Sequence, residues 1–141
     1  MIAANETFNG TFPFAPHFTS KPGFQMHYVD EGSGDPIVCL HGEPTWGYLY
    51  RKFIPPLSTT HRVIVPDHMG FGKSETPQHR EYTYLGHVGN LEALLNEELE
   101  LRDQTLVVQD WGGLIGGVYV RGTPDRGNSM LGMDTRRASR G

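Results

Sequence analysis

Leu106-Val107-Val108-Gln109-Asp110-Trp111-Gly112-Gly113 is an apolar run that stops abruptly at an acid, an indole and two glycines. The β-prone run predicts a buried strand with Asp110 at its carboxyl end, then a tight turn and the start of a helix. Gly112 and Gly113 let that helix pack closely behind the strand. On this segment alone two readings of Asp110 stand. It is a nucleophilic carboxylate displayed on the turn, or it is an N-cap, a common place for Asp ahead of an apolar helical segment.

Working outward, Ile37-Val38-Cys39-Leu40 and Val63-Ile64-Val65 are short continuous apolar runs, as expected of strands covered on both faces. The first enters His41-Gly42-Glu43-Pro44-Thr45-Trp46, and the second enters Pro66-Asp67-His68-Met69-Gly70-Phe71-Gly72-Lys73-Ser74. Phe24 to Glu31 alternates well enough for a further strand, and Gly32-Ser33-Gly34-Asp35-Pro36 turns the chain after it. A helix is expected from about Gly47 to Ile54, closed by Pro55-Pro56. Another is expected from about Tyr84 to Leu101, with Val88, Leu91, Leu95 and Leu99 along one face. Glu92, Glu97, Glu98 and Glu100 read as its solvated side rather than as a catalytic carboxylate pair. Residues 1–22, rich in Phe, Pro, Thr and Gly, read as an irregular lead-in. This alternation of strand and helix argues for an α/β fold, a mostly parallel sheet with flanking helices. In such sheets ligands bind beyond the carboxyl ends of the strands. Three distinctive loops lie there, and their convergence favours Asp110 as an active-site group.

Composition narrows the function. The 141 residues, 37% of them apolar, suffice for one core of ordinary domain size. A net charge of −4 gives no basic footprint for nucleic acid or an anionic membrane. Cys39, the single cysteine, excludes an intrachain disulfide and a cysteine-based metal site, and fits a reducing, cytoplasmic setting. No stretch approaches the length of a membrane helix. Gly72-Lys73-Ser74 invites a nucleotide-binding reading, but a P-loop needs glycine where Asp67 stands. No cofactor and no metal is expected.

With these residues in hand, the chain from Gly23 to Arg121 resembles the α/β-hydrolase fold and, within it, the haloalkane dehalogenases. His41-Gly42-Glu43-Pro44-Thr45-Trp46 is similar to the family's oxyanion loop, and Asp67 to Ser74 to its glycine-rich loop. Val107-Val108-Gln109-Asp110-Trp111-Gly112-Gly113 resembles the dehalogenase nucleophile elbow, with aspartate where esterases carry serine. The resemblance implies Asp110 as nucleophile, the backbone amides of Glu43 and Trp111 as oxyanion donors, and the Trp111 indole N–H as a halide contact. The bland alternative for Trp111 is a packing residue.

The residue types fit that chemistry. A carboxylate attacking a saturated carbon with a leaving group gives an ordinary ester, whereas attack on an acyl carbon gives a reactive anhydride. The implied substrate is a small apolar halogenated molecule, with water as the second reactant. Epoxide hydrolases share Asp-Trp-Gly-Gly but usually carry histidine before the aspartate, where this chain has Gln109. Glu43 occupies the position of a halide-binding asparagine in many dehalogenases, which resembles the subgroup that uses a second tryptophan from a cap domain; Trp46 is not that residue by position. His41 is read as a structural member of its loop, with the catalytic base as the alternative.

No histidine follows His87, so the acid and base that complete the family's triad after the nucleophile are absent. Residues 121–141 hold five arginines against two aspartates, and only Asp125 and Asp134 are candidate acids there. The organisation expected is thus a lead-in over 1–22, the amino-terminal part of a hydrolase core over 23–121, and a divergent, basic, disordered tail over 122–141, from truncation or a shifted reading frame. The Asp110 strand is then expected to lack neighbours on one side, leaving an aggregation-prone edge. A non-catalytic binding module that keeps only the pocket floor is the competing reading.

Overall fold

The structure, a computed structural model, describes residues 2–132. Among the described residues six strands form one sheet: β1 (His17–Thr19), β2 (Met26–Glu31), β3 (Pro36–Leu40), β4 (Arg62–Pro66), β5 (Thr105–Val108) and β6 (Ser129–Gly132), in the order β1-β2-β4-β3-β5-β6. β4, β3, β5 and β6 run parallel, while β2 pairs antiparallel with both β1 and β4. The helices are α1 (Ile54–Ser58), α2 (Tyr84–Glu92) and α3 (Trp111–Gly122).

The pleat divides β3 between two cores. Val38 and Leu40 join Ile64, Leu106 and Val108 under α2 and α3, where Leu91, Leu94, Leu95, Ile115 and Tyr119 are buried. Ile37 and Cys39 face the other way with Val63 and Val65, against Phe12, Tyr50 and Ile54. Strands buried on both faces are why these segments read as unbroken apolar runs. Cys39 is fully buried, and burial alone pushes its thiol up to about 12.

Four expectations need correction. The helix before Pro55-Pro56 is only a 3₁₀ turn, Gly47–Tyr50, and the prolines instead sit in the first turn of α1. First-turn N–H groups have no intrahelical acceptor, so proline costs nothing there. The long helix changes character at Ala93–Glu98, where π-type turns take over and the Leu99 N–H reaches back to the Leu94 carbonyl at 2.9 Å. The lead-in is not wholly irregular: β1 lies within it, three residues being too few for a visible period, and Phe12 is fully buried.

The last correction concerns residues 122–132, expected to be disordered. β6 pairs in parallel with β5 from Thr105↔Ser129 to Val108↔Gly132, so the Asp110 strand has a neighbour on both sides. The approach is tied down by the Arg126 guanidinium donating to the Leu101 carbonyl at 2.7 Å, and by the Asp103 N–H donating to the Arg126 carbonyl at 2.6 Å. Met130 and Leu131 stay exposed, and among the described residues the outermost strand on this side is β6 rather than β5. Residues 133–141, with Asp134, lie outside the described residues.

Candidate active site

Asp110 follows β5 with φ 54° and ψ −122°, a conformation that costs a non-glycine residue free energy. It occupies the N-cap position of α3, yet its side chain makes no capping hydrogen bond. The capping alternative is thereby excluded. The exposed carboxylate lies instead above Gly42, where a Cβ would stand 2.6 Å from the Asp110 Cβ and 2.9 Å from its Oδ2. Behind it, a Cβ on Gly112 would run into the Leu40 and His41 carbonyl oxygens. Glycine at 112 therefore lets α3 start directly against the end of β3, which holds the turn in its strained form.

The loop facing Asp110 is held just as firmly. The Gly42 carbonyl accepts from His41 Nδ1–H at 2.7 Å, from the Thr45 hydroxyl at 2.8 Å and from the Thr45 N–H at 3.2 Å. These three donors fix the plane of the Gly42–Glu43 peptide, so the Glu43 N–H at its other end is aimed away from them. The Glu43–Pro44 peptide is cis, and the Glu43 side chain is exposed. The Trp111 N–H belongs to the first turn of α3 and has no intrahelical carbonyl to reach. The half-buried Trp111 ring meets Tyr84 and His87 edge-on, with centroids 6.4 and 6.3 Å apart.

Reading the sequence alone missed two buried networks beneath these loops. In the first, Asp67 accepts from the Gly47 N–H at 2.7 Å, from the Lys73 N–H at 3.0 Å and from His27 Nδ1 at 2.9 Å. It thus clamps the end of the oxyanion loop to the glycine-rich loop and to β2. Gly72 is needed here, since a Cβ would lie 2.6 Å from the Asp67 Cγ and 2.8 Å from the Trp46 Cβ. The Lys73 ammonium donates to the Ala4 and Glu6 carbonyls, each at 2.8 Å. By alternation along its strand His27 shares a face with Gln25 and Val29, which does not point to Asp67.

The second network is a column of imidazoles. His41 and His68 lie 4.2 Å apart between ring centroids, and His68 and His87 lie 5.5 Å apart. His41 Nε2 accepts from the His68 N–H at 2.9 Å, which fixes the proton on Nδ1. His68 Nε2–H donates to the His41 carbonyl at 3.1 Å. Burial holds all three below the usual histidine range, His68 furthest, and the neighbouring imidazoles push His68 and His87 down further. His41 is thus a loop brace with both nitrogens engaged, and the general-base alternative for it is excluded.

A family model described as alpha/beta hydrolase fold matches residues 35–139. The chain is 53% identical over 114 residues to a haloalkane dehalogenase of Mycobacterium marinum, an alignment covering 74% of this chain and 38% of that protein. It is 42% identical over 125 residues to a cis-3-alkyl-4-alkyloxetan-2-one decarboxylase of Shewanella oneidensis, covering 87% of this chain and 39% of that one. Among solved structures, the tetrameric haloalkane dehalogenase DpaA from Paraglaciecola agarilytica NO2 superposes with a TM-score of 0.81 at 40% identity, over 89% of this chain and 44% of its own. The chain spans about two-fifths of the length of the curated relatives it matches.

Proposed function

The chain belongs to the alpha/beta hydrolase fold family, and from that premise we propose that it is a hydrolase of haloalkane dehalogenase type. Asp110 attacks the halogen-bearing carbon of a small apolar haloalkane. A carboxylate oxygen forms the new C–O bond as the C–halogen bond breaks, and the halide leaves with the bonding electrons beside the Trp111 indole N–H. In the second half-reaction water attacks the ester carbonyl, with the backbone amides of Glu43 and Trp111 receiving the oxyanion, and alcohol is released. The observation that carries this reading is the strained backbone of Asp110, which holds a carboxylate free of any capping bond over Gly42.

Among the described residues the second step has no evident base. His41 and His68 are spent on structural hydrogen bonds, and His87 is buried with its ring against Trp111. The activity expected of this chain by itself is formation of the alkyl ester. A cytoplasmic setting is part of the reading, supported by the lone buried thiol of Cys39; among the described residues no helix is long and apolar enough to cross a membrane.

The test is incubation with a short bromoalkane, followed by intact-mass and peptide mass spectrometry and a bromide assay. The expected result is one alkyl group on Asp110 with one bromide released, absent from Asp110→Asn. A folded sample with no adduct refutes the reading and leaves a non-catalytic binding module. A second reading is favoured by the oxetanone decarboxylase among the relatives: the same carboxylate would open a strained oxygen ring at its saturated carbon. An adduct from an epoxide or a β-lactone, with none from the bromoalkane, would select it.

A further inference from the structure

Trp111 is gripped from one side by a single helix. Tyr84 and His87 stand one turn apart on α2, and each presents its ring to the indole edge-on, at interplanar angles of 63° and 80°. Tyr84 is itself secured, its hydroxyl donating to the Leu114 carbonyl in the first turns of α3 at 2.9 Å. His87 is secured by packing: it is buried, its ring lies 5.5 Å from His68, and His68 is bonded in turn to His41. Its Nδ1 is fully buried and bonded to no protein group among the described residues. The contacts His87 makes with His68 and Trp111 are made by its ring and not by that nitrogen. What the position uses is the ring.

We propose that His87 is a positioning residue for Trp111, its ring serving as the wedge that ties the indole at the elbow to the imidazole column behind the oxyanion loop. This deepens the halide role given to Trp111 above and rests on it. The column Trp111–His87–His68–His41 then links the group that receives the leaving halide to the loop that receives the oxyanion, so both sides of Asp110 share one rigid backing.

The experiment uses the full chain with Trp46→Phe, which leaves Trp111 as the only tryptophan. Saturable quenching by bromide and the near-ultraviolet dichroism of the indole are read for His87→Ala, His87→Phe and His87→Gln, with far-ultraviolet dichroism as the fold check. An edge-on aromatic contact contributes about two- to tenfold in an equilibrium constant. His87→Ala is therefore expected to weaken bromide binding by about that factor and to flatten the indole band. His87→Phe should keep both close to the parent. If alanine prevents folding, His87→Leu replaces it, filling the volume without a ring. Parent-like binding and an unchanged band in the folded alanine or leucine variant overturn the proposal. So does recovery by Gln but not by Phe, since that would assign the role to Nδ1. If the parent itself binds no bromide, the halide reading fails separately, and the indole band alone decides whether His87 positions Trp111.

Discussion

Replacing Gly42 by alanine tests the elbow directly. The added Cβ would stand 2.6 Å from the Asp110 Cβ and 2.9 Å from both the Asp110 Oδ2 and the Gln109 Oε1. The amide end of Gln109 can swing aside. The Asp110 Cβ cannot, because its backbone is fixed by the Gly113 N–H donating to its carbonyl at 2.8 Å and by the close seating of Gly112 on Leu40. Ordinary van der Waals contact begins near 3.4 Å, so the carboxylate-bearing carbon must retreat by about 0.8 Å, a displacement comparable to the ~1 Å misplacement that costs about 10²-fold in rate. The same crowding should destabilise the fold by about 1–3 kcal/mol. The assay is the rate of bromoalkane ester formation on Asp110, followed by intact mass at a temperature where dichroism shows the variant folded. An alkylation rate within about threefold of the parent, in a folded variant, would refute the placement of Asp110 over Gly42.

Three further outcomes follow from the same structure. Asp67→Ala removes the acceptor shared by His27, Gly47 and Lys73, all buried, and should cost about 3–5 kcal/mol in a urea unfolding series; a loss below about 1 kcal/mol would mean that the clamp is not formed. Acid should unfold the chain early. His41, His68 and His87 are held below the ordinary histidine value, so the unfolded state binds protons first, and stability present above about pH 6.5 is lost as pH falls toward the folded values. A melting temperature constant down to about pH 5 would contradict the neutral column. Gly89→Ala, in α2 with nothing within 4 Å of the new Cβ, should raise stability by about 0.5–1 kcal/mol and leave alkylation unchanged.

The parallel strands were legible because each is buried on both faces, and burial on both faces leaves a continuous apolar run in the sequence. β1 and β6 were not, since three or four residues at a sheet margin carry no such run, and the burial pattern of β6 is exposed throughout. The role proposed for Asp110 was legible only through its company: an acid before two glycines fits a cap as well as a nucleophile, and the bare side chain and positive φ speak against the cap. The networks beneath the loops were illegible for a different reason. His27 and Asp67 lie forty residues apart, and His41, His68 and His87 come from three separate elements, so no local spacing reports that they meet.

The imidazole column also bears on how charge moves in the proposed first step. Among the described residues Asp110 joins no ion pair, and the histidines nearest the elbow are held neutral by burial. No side-chain cation is therefore paired with its carboxylate among the described residues, which leaves the oxygens open to a carbon electrophile. Attack on a saturated carbon transfers that charge to the halide beside Trp111 without any group gaining or losing a proton. From neutral pH upward the rate of ester formation should then show no general-base dependence, unlike hydrolysis of the ester, which needs a base to activate water. Intact-mass kinetics across that range would check it. A rate that climbs with the slope of a single titrating group would show that a base takes part in the first bond-making step, and the division of the chemistry between Asp110 and a separate base would have to be abandoned.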